Sequence, residues 1–393
     1  MKKKPHDKKK ILFIGWTLTA GGGVETILSK LISVLPTNEY NIDLFEYIDF
    51  GINNKKYPKE VRKLPSVLKY PKNKRFISIK FFALKEKILD SMIRVLPQLF
   101  RKIYIKEYYD IEVACTYLTP SFILVDRNKG KNITWIHGPL DDFDYKNKKN
   151  ILKKFISFYL YKRQDKAFKV SNKIIVISNI VYNSVISLYP KYKDKVVKIY
   201  NGYDIEAIEN RASEEYIEFD IPTIISVGRL DKNKNHKLLI ESCCKLKEKI
   251  KEFQVVIIGE GEDREELEKL IRELNVEKYV KLYGYKSNPY PYIKCANAFV
   301  MTSFSEGFPT VVAEAMTLKT PVIMTKVSGS EELTQSGECG ILVERNSEAI
   351  TDAILKVLSE NSNINVVVSK AYENINKYSL ERQASEFEKI FKL

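Results

Sequence analysis

Two carboxylates in the second half of the chain, Glu306 and Glu314, stand where the sequence predicts a ligand-facing turn. The apolar run Ala298–Met301 before them is typical of a buried strand, and Pro309 and Thr310 favour the start of a helix. The first N–H groups of such a helix have no partner within it and point beyond the end of the preceding strand. Because its neighbours are apolar, Glu314 is either one acid on a solvated face or a carboxylate held at a ligand pocket.

A basic turn lies upstream, where Gly228, Arg229 and Lys234 follow the predicted strand Thr223–Val227. Neither cation has an obvious acidic partner in the sequence. An arginine and a lysine at the end of a parallel strand suit a diphosphate. The alternative is a solvated basic turn that binds nothing.

Two further turns follow the next predicted strands of the same half. Gly259 and Gly261 come after the strand Gln254–Ile258, and Tyr283 and Tyr285 flank a glycine after the strand that follows. Glycine lets a backbone approach a ligand closely, and ligands bind beyond the carboxyl ends of strands in open α/β sheets. Four such turns on one sheet edge indicate a binding site more strongly than any single one.

A run of three glycines, Gly21, Gly22 and Gly23, separates the first predicted strand, Ile11–Ile14, from a helical pattern. Such a turn allows a backbone to approach a phosphate or a sugar beside a helix N-terminus. Its spacing departs from GxGxxG, which disfavours a nicotinamide or flavin site.

A histidine, His137, ends another predicted strand beside Gly138. A single histidine is more often a structural hydrogen-bonding group than a catalyst. Its place at a strand end, with Asp141 and Asp142 nearby, favours a functional role.

Strand and helix patterns alternate twice along the chain, with a boundary at the turn Asn201–Asp204. This alternation predicts an α/β protein with two parallel sheets that are covered by helices on both faces. The strands expected in the first half are Ile11–Ile14, Tyr40–Tyr47, Ile111–Tyr117, Lys131–Ile136, Lys173–Ser178 and Val196–Tyr200. Those expected in the second are Thr223–Val227, Gln254–Ile258, Tyr279–Leu282, Ala298–Met301, Pro321–Met324 and Gly340–Val343. The last helical segment, Asn363–Leu393, is expected to break near Tyr378.

A length of 393 residues favours two domains, and the apolar fraction of 44% supports packed cores. No apolar run approaches the roughly 20 residues that span a bilayer, and the lysine-rich N-terminus leads into a strand pattern rather than a signal peptide. Five scattered cysteines and three histidines form neither a metal motif nor a disulfide framework. These features favour a reducing cytoplasm.

Positive charge is concentrated in the first half of the chain. Residues 1–204 contain 40 Lys and Arg against 19 Asp and Glu, whereas the whole chain contains 65 against 50. The first half therefore favours an anionic partner. Residues 55–106 contribute 16 of these cations, together with apolar residues at roughly helical spacing. This segment is either a membrane-surface element or an insertion that packs on its own domain, while RNA binding lacks a supporting motif.

Several of these turns, taken in chain order, resemble the retaining glycosyltransferases of family 4, or glycosyltransferase group 1, of the bacterial surface-polysaccharide type. The motifs that carry the resemblance are Gly22-Gly23-Val24-Glu25, His137-Gly138, Asn201-Gly202-Tyr203-Asp204, Gly228-Arg229-Leu230 with Lys234-Asn235, Gly259-Glu260-Gly261, and Glu306-Gly307-Phe308-Pro309 with Glu314-Ala315. The likeness is strongest from 222 to 345, and residues 55–106 have no counterpart in it.

The resemblance implies the GT-B fold, in which two Rossmann-like parallel-sheet domains face a cleft and the last helix crosses back. Residues 1–204 would form the acceptor-binding domain, 205–375 the donor-binding domain, and 376–393 the returning helix. The chain would transfer a hexose-type sugar from a nucleotide-diphosphate donor, with UDP favoured, to a glycan or lipid-linked acceptor. From the basic first half and such an acceptor we expect a cytoplasmic protein, peripheral on the inner face of the cell membrane, with an anionic membrane surface rather than nucleic acid as its partner.

Residue roles also follow from the resemblance. Arg229 and Lys234 would hold the diphosphate, Glu306 the sugar hydroxyls, Glu314 the ribose, and His137 would contact the donor sugar. The other positions implied at the donor are Gly21, Gly22, Gly23, Gly228, Gly259, Gly261, Tyr283, Tyr285, Gly307, Phe308, Pro309 and Thr310.

The resemblance implies no metal and no cofactor, because arginine and lysine can stabilise the departing diphosphate. No residue is an evident covalent nucleophile, so front-face departure and attack is favoured. A non-catalytic glycan-binding or sugar-nucleotide-binding protein of the same fold, and a basic nucleic-acid-binding protein, are the alternatives. The rival among enzymes is a GT-B phosphorylase or a nucleotide-sugar epimerase. A phosphorylase would need a pyridoxal lysine motif, which the sequence does not show.

Overall fold

The structure is a computed structural model that describes residues 8–20, 23–51, 57–71, 76–124, 130–140, 143–147, 149–327, 329–359 and 362–392. The chain divides into two compact units. The N-terminal unit comprises Met1–Gly202 together with Leu380–Leu393, and the C-terminal unit comprises Tyr203–Ser379.

The N-terminal unit is an α/β unit in which strands and helices alternate. Its described elements are β1 (Lys9–Gly15), α1 (Gly23–Val34), β2 (Tyr40–Glu46), β3 (Ile48–Asp49), β4 (Arg62–Lys63), β5 (Leu68–Lys69), α2 (Phe76–Val95), α3 (Pro97–Tyr104), β6 (Ile111–Ala114), α4 (Thr119–Phe122), β7 (Lys131–Ile136), α5 (Ile151–Val170), β8 (Lys173–Val176), α6 (Asn179–Leu188) and β9 (Val196–Lys198). Among the described residues, seven parallel strands form one sheet in the order β4-β2-β1-β6-β7-β8-β9, and β3 pairs with β5.

The C-terminal unit repeats this architecture. Its described elements are α7 (Ile205–Arg211), β10 (Thr223–Val227), α8 (His236–Lys249), β11 (Gln254–Ile258), α9 (Arg264–Glu273), β12 (Val280–Gly284), α10 (Tyr290–Cys295), β13 (Ala298–Met301), α11 (Thr310–Thr317), β14 (Val322–Thr325), α12 (Ser330–Thr334), β15 (Ile341–Val343), α13 (Ser347–Leu358) and α14 (Ser362–Ile375). Six described strands form a parallel sheet in the order β12-β11-β10-β13-β14-β15.

The last helix, α15 (Leu380–Lys392), belongs to the N-terminal unit. A short 3₁₀ helix, Asn376–Tyr378, separates it from α14, so the predicted break near Tyr378 is confirmed. The ring of Phe387 packs 4.8 Å from Trp135, centroid to centroid, and the Lys9 Nζ donates to the carbonyl of Phe391 at 3.0 Å. These contacts hold the end of the chain against β1 and β7.

Several helices begin at a residue whose side chain accepts a hydrogen bond from the first turn. Asn150 caps α5, Ser178 caps α6, Asp204 caps α7 and Asn346 caps α13, each through a backbone N–H three residues later. Such caps satisfy a donor that has no partner within the helix. They fix where each helix starts, and thereby the length of the turn that links it to the preceding strand.

The C-terminal core explains why the strand ends form a regular edge. Ile224, Val255, Ile257, Val300 and Ile323 of four neighbouring strands are fully buried in one core cluster with residues of α8, α9 and α13. The alternate residues of the same strands, such as Ile225 and Val256, are fully buried as well, so both faces of the sheet are covered. A parallel sheet that is covered on both faces exposes only its edges and strand ends to solvent. Turns after β10, β11, β12 and β13 therefore share one side of the unit.

The basic segment 55–106 is partly built into its own unit. Phe82, Leu89 and Ile93 of α2 and Phe100 of α3 are buried in a core cluster with residues of β1 and β2. The helical spacing predicted for this segment is therefore confirmed in α2, and one apolar face packs on its own domain. In the part of the chain that the structure describes, no helix is both long and apolar enough to cross a membrane.

Candidate functional site

Backbone hydrogen bonds join the turns at the carboxyl edge of the C-terminal sheet. The N–H of Gly228 donates to the carbonyl of Ile258 at 3.0 Å, and the N–H of Gly259 donates to that of Gly284 at 2.9 Å. The turn after β13 joins them, because the N–H of Phe304 donates to the carbonyl of Asn233 at 2.7 Å. The four turns singled out in the sequence thus lie side by side.

Gly259 and Gly261 serve the packing of these turns on each other. A Cβ at Gly259, where φ is +155°, would lie 1.8 Å from the carbonyl oxygen of Gly228. One at Gly261 would lie 2.2 Å from the carbonyl oxygen of Leu230. Contacts of that length are impossible for a side chain. Both positions therefore require glycine because a neighbouring backbone lies against them. The sequence pattern predicts a ligand there, whereas the structure places the backbone of the Arg229 turn there. The two glycines allow this turn to pack in its place.

Lys234 and Glu306 form an ion pair at this edge, with 2.6 Å between Nζ and Oε1. The side chains are 21% and 15% exposed, so the pair is only partly in contact with solvent. The lysine lies in a turn in which its N–H donates to the Asp231 carboxylate at 3.0 Å. The hydroxyl of Thr302 donates to the carbonyls of Lys234 and Asn235 at 3.1 and 2.9 Å, which joins the β10 turn to the end of β13.

Arg229 is the most solvent-accessible charge of the site. Its guanidinium lies 2.7 Å from the Asp231 carboxylate, and its side chain is 79% exposed. The prediction that neither cation has an acidic partner is therefore wrong, since Arg229 pairs with Asp231 and Lys234 with Glu306. Arg229 and Asp231 meet through the turn geometry, whereas Glu306 reaches Lys234 from a turn 72 residues further along the chain.

Glu314 is buried, with 8% of its surface exposed, on a helix whose residues from Val312 to Thr317 are all buried. The hydroxyl of Tyr290 donates to its Oε1 at 3.1 Å. Burial and the neighbouring carboxylate raise the pKa of Tyr290 well above its usual value, so this hydroxyl keeps its proton. Of the two alternatives for Glu314, the solvated face is therefore excluded. A buried carboxylate is stable only when hydrogen-bond donors surround it.

The turn between the two carboxylates leads directly into a helix. α11 starts at Thr310, with Pro309 as the residue before its first turn, as predicted, and Gly307 is partly exposed. The side chain of Phe308 is buried, and its ring lies 5.5 Å from that of Tyr378, centroid to centroid. Phe308 is thus a packing residue.

The two tyrosines predicted near the base lie on the surface at the end of β12. Tyr283 is partly exposed and its ring packs edge-on against Tyr292, with 6.0 Å between centroids. Tyr285 is largely exposed. Tyr283 lies within β12 and Tyr285 directly follows it, at the edge of the sheet, where two strands, β11 and β10, separate β12 from β13.

His137 lies in the N-terminal unit, directly after β7. Its ring centroid is 4.4 Å from that of Trp135, and its buried Nε2 has no hydrogen-bond partner among the described residues. Burial lowers the pKa of His137 to about 3, so the imidazole is neutral at physiological pH. A neutral ring can hydrogen-bond a sugar hydroxyl without carrying charge.

The glycine turn of the N-terminal unit is described only in part. Gly23 is the first residue of α1, and a Cβ placed there would meet nothing within 4 Å. Gly21 and Gly22, like Asp141 and Asp142 near His137, lie outside the described residues.

Sequence reasoning missed several residues of the C-terminal edge. Tyr290 was not singled out, because a tyrosine at a helix start carries no local signal of its bond to Glu314. Arg345 donates to the carbonyl of Phe304 at 3.1 Å, and its guanidinium lies 4.9 Å from the ring centroid of that residue. Arg345 follows β15 by two residues, as Arg229 follows β10. A search for charged residues directly after predicted strands could therefore have found it. Asn233 donates from Nδ2 to the carbonyl of Ser305 at 2.8 Å.

A second candidate site, a cavity of about 550 Å³, lies entirely within the N-terminal unit. It adjoins the ends of β1 and β6, and α2 forms one of its walls. The indole N–H of Trp16 donates to Glu86 at 3.0 Å, and the hydroxyl of Thr119 donates to Asp90 at 2.7 Å. Arg94 lies 2.5 Å from the same Asp90 carboxylate. The other lining residues are Ala83, Lys87, Thr116, Tyr117, Leu118 and Pro120.

Leu118, which lines this cavity, has a strained backbone conformation. Its backbone has φ +63° and ψ −138°, a conformation that non-glycine residues rarely adopt. The buried amide of Gln164 holds it by accepting from its N–H at 2.7 Å. Backbone strain of this kind is concentrated at binding and catalytic sites. In the described ranges, no group of three or more His, Cys, Asp and Glu side chains is placed to hold a metal ion.

Comparison with protein families gives a match in the C-terminal part of the chain. Residues 209–382 match the sequence model of the glycosyl transferases group 1. The group 1 match contains every residue of the C-terminal edge described above, from Arg229 to Glu314, and it ends within α15.

Two curated proteins illustrate the relationship. The chain is 36% identical over 245 residues to the N-acetylgalactosamine-N,N'-diacetylbacillosaminyl-diphospho-undecaprenol 4-alpha-N-acetylgalactosaminyltransferase of Campylobacter jejuni, covering 62% of either chain. It is 28% identical over 157 residues to the lipopolysaccharide core biosynthesis glycosyltransferase LpsE of Rhizobium meliloti, covering 40% of this chain and 45% of that protein. The chain thus spans about three fifths of the length of the first protein and less than half of the second.

A solved structure matches almost the whole chain. HepE of Anabaena, in a complex with UDP, superposes with a TM-score of 0.71 at 16% identity, covering 98% of this chain and 99% of that one. At this identity the likeness concerns the fold. It confirms the predicted GT-B class: two Rossmann-like parallel-sheet domains, with the last helix returning to the first.

Proposed function

We propose that this chain is a retaining glycosyltransferase that moves a hexose-type sugar from a nucleotide-diphosphate donor, UDP in the first instance, to a hydroxyl of a glycan acceptor. The observation that carries the proposal is the ion pair of Lys234 and Glu306 beside Arg229 and the buried Glu314, all on one sheet edge. The group 1 match over 209–382 and the UDP bound to the HepE structure support it.

Charge assigns the roles at the donor. Cleavage of the sugar–phosphate bond leaves negative charge on the diphosphate, and fixed cations directed at it stabilise the transition state. Lys234 and Arg229 would supply these cations, which makes a metal and a cofactor unnecessary for this step. Each would exchange part of its contact with a carboxylate for the phosphate oxygens.

The two carboxylates would then hold hydroxyl groups. Glu306, released in part from Lys234, would accept from the hydroxyls of the sugar, with the N–H groups at the start of α11 beside it. Glu314, kept in place by Tyr290, would accept from the ribose. In this arrangement neither carboxylate acts as a nucleophile at the anomeric carbon.

Retention would follow from front-face attack, in which the acceptor hydroxyl approaches from the side that the diphosphate leaves. The departing phosphate would take the proton of that hydroxyl. His137 would contact the donor sugar as a neutral hydrogen-bonding group, consistent with its lowered pKa. Gly21, Gly22 and Gly23 would approach the donor phosphates through their backbone.

The acceptor is proposed to be lipid-linked and to bind in the N-terminal unit. The 550 Å³ cavity offers two carboxylates, two cations and the rings of Trp16 and Tyr117, a combination that suits a saccharide. The Campylobacter relative acts on a diphospho-undecaprenol-linked substrate, according to its name. We accordingly propose a role in cell-surface polysaccharide synthesis, such as capsule or lipopolysaccharide, at the cytoplasmic face of the membrane.

A donor screen tests this proposal. The purified chain is incubated with a panel of UDP-, GDP- and ADP-sugars, with and without a bacterial lipid extract, and the release of the nucleotide diphosphate is measured. We expect release with one donor, stimulated by the extract and undiminished by EDTA, and a product whose anomeric configuration is that of the donor.

Three results would contradict parts of the proposal. Binding of a donor without turnover in any extract would favour a non-catalytic sugar-nucleotide-binding protein. Loss of activity with EDTA would contradict metal independence. Inversion at the anomeric carbon would contradict front-face attack.

A further inference from the structure

The outward side of α2 carries a continuous apolar stripe. Phe81, Leu84, Ile88, Met92 and Val95 are each between 49% and 62% exposed. Their spacing of three and four residues places them on one side of the helix. Scattered exposed apolar residues are common in proteins, but an aligned set on one helix marks an interaction surface.

The other sides of α2 pack on the N-terminal unit or line its cavity, and these contacts determine which way the stripe faces. Phe82, Leu89 and Ile93 are buried in the core, and Glu86 and Asp90 line the cavity. These two sets occupy the remaining sides of the helix. The stripe therefore faces outward because the other sides are already packed.

Neighbouring helices extend the stripe into a larger surface. Apolar side chains on α3 and on the first turns of α5 are between 49% and 74% exposed: Leu96, which precedes α3, then Leu99, Ile103, Ile151, Leu152, Phe155 and Ile156. The hydroxyl of Tyr159 on α5 donates to the carbonyl of Arg94 on α2 at 3.1 Å, so the two helices are in contact. Together with the stripe, these residues are called the apolar face.

Lysines surround the apolar face, whereas its acids are directed inward. Lys80 and Lys85 of α2 and Lys153, Lys154 and Lys162 of α5 are exposed. Two of them lie over aromatic rings, with 4.6 Å between the Lys85 Nζ and the Phe81 ring centroid, and 5.5 Å between the Lys162 Nζ and the Phe158 ring centroid.

The acids of α2 and α5 are bound within the unit. Trp16 donates to Glu86, Thr119 donates to Asp90, and Lys191 pairs with Asp165. An apolar centre with a basic border is the composition that binds an anionic lipid surface.

We propose that the apolar face docks onto an anionic phospholipid bilayer, with its apolar side chains at the boundary of headgroups and acyl chains and its lysines at the headgroup phosphates. A second copy of the chain is a poorer occupant, because a symmetric dimer would bring the lysine borders of the two copies together. The inference deepens the proposed function, since it would present the cavity on the neighbouring side of α2 to a lipid-linked acceptor. Vesicle binding itself requires no transfer.

Flotation with vesicles tests the docking surface. The full chain is mixed with phosphatidylglycerol–phosphatidylcholine vesicles or with pure phosphatidylcholine vesicles, at low and at moderate salt. Wild type is expected to float with the anionic vesicles and not with the neutral ones. The double variant Leu84→Glu/Ile88→Glu is expected to bind at least about tenfold more weakly, because two charges replace buried apolar contacts.

Controls separate this result from misfolding and from catalysis. Val366→Glu, at an exposed apolar position on α14 of the other unit, should bind as wild type does. Lys80→Glu/Lys85→Glu should weaken binding and remove its salt dependence without disturbing any packed residue. Thermal unfolding and donor turnover without lipid should be unchanged in all these variants.

Several outcomes would overturn the inference. These are equal flotation of wild type and the Leu84→Glu/Ile88→Glu variant, absence of wild-type binding to anionic vesicles, and equally strong binding to neutral vesicles. A doubled mass in lipid-free solution that this variant abolishes would assign the face to a second copy instead. A chain that floats as expected but transfers no sugar would leave the docking surface standing and refute only the proposed function.

Discussion

Replacing Lys234 by methionine should separate catalysis from folding. The Lys234 Nζ lies 2.6 Å from the Glu306 carboxylate, and the stem of its side chain lies 3.4 to 3.5 Å from where a Cβ on Gly228 would be. Methionine fills nearly the same space and removes only the charge. The substitution thus tests whether the cation acts on a leaving diphosphate or merely neutralises Glu306.

The two roles predict effects of different size. Loss of a cation that acts in the transition state should lower kcat/KM by roughly 10²-fold or more, which corresponds to about 2.7 kcal/mol. The stability effect should be smaller. Exposed ion pairs contribute about 0–1 kcal/mol, whereas removing one partner of a fully buried pair costs about 3–5 kcal/mol. This pair, with side chains that are 21% and 15% exposed, lies between the two cases, so we expect a loss of about 2 kcal/mol in the free energy of unfolding.

Release of the nucleotide diphosphate, measured over a range of donor concentrations, gives kcat and KM separately. The matched control is Lys249→Met, which removes a cation of α8 in the same unit that lies 3.1 Å from Asp352, in an exposed ion pair. Its transfer rate should equal that of wild type. Urea unfolding of both variants shows whether their structures are intact.

Normal turnover in Lys234→Met would refute the assignment of this lysine to the diphosphate. The double variant Lys234→Met/Glu306→Gln gives a second test of the same assignment. If the pair only stabilises the turn, removing both charges should restore activity. If both side chains contact the donor, the double variant should be no better than the worse single variant.

Two further changes test the architecture around this pair. Gly259→Ala should destabilise the protein by about 3 kcal/mol, because its Cβ would lie 1.8 Å from the carbonyl oxygen of Gly228. The control Gly138→Ala should leave stability unchanged, because a Cβ there would have no atom within 4 Å. Thermal unfolding of the two variants and wild type measures the difference. Burial lowers the pKa of His236 to about 4, so between about pH 6.5 and 4 the unfolded chain binds more protons and stability falls as the pH falls. Because the buried His137 contributes to this loss in both proteins, urea unfolding at about pH 7.5 and 5.5 should show a loss that is about 1.4 kcal/mol larger in wild type than in His236→Asn, and equal losses would contradict the titration of His236.

Much of the fold was predictable because strands and helices of an α/β protein leave local patterns. Continuous apolar runs such as Gln254–Ile258 and Ala298–Met301 coincide with β11 and β13. The break before α15 was visible as an interruption of the helical spacing. Short helices such as α10 were missed, since six residues hold too few turns for a period to show.

The positions of the candidate site residues at strand ends were also predictable, but their partners were not. Strand ends in a parallel sheet lie on one edge whatever the order of the strands, so Arg229, Lys234, Glu306 and Glu314 could be grouped in advance. The pairing of Lys234 with Glu306 depends on β10 and β13 being neighbours. That strand order is a property of packing, which local patterns do not record.

The helix α2 shows most clearly which features the sequence predicts and which depend on tertiary packing. Residues 55–106 show apolar residues at helical spacing and an excess of lysine, and this pattern predicts an amphipathic basic helix. The assignment of Phe82 and Leu89 to the core and of Leu84 and Ile88 to the surface required the helix to be placed against β1 and β2. Periodicity describes the order of residues around a helix, whereas the side that becomes buried depends on contacts between segments far apart in the chain.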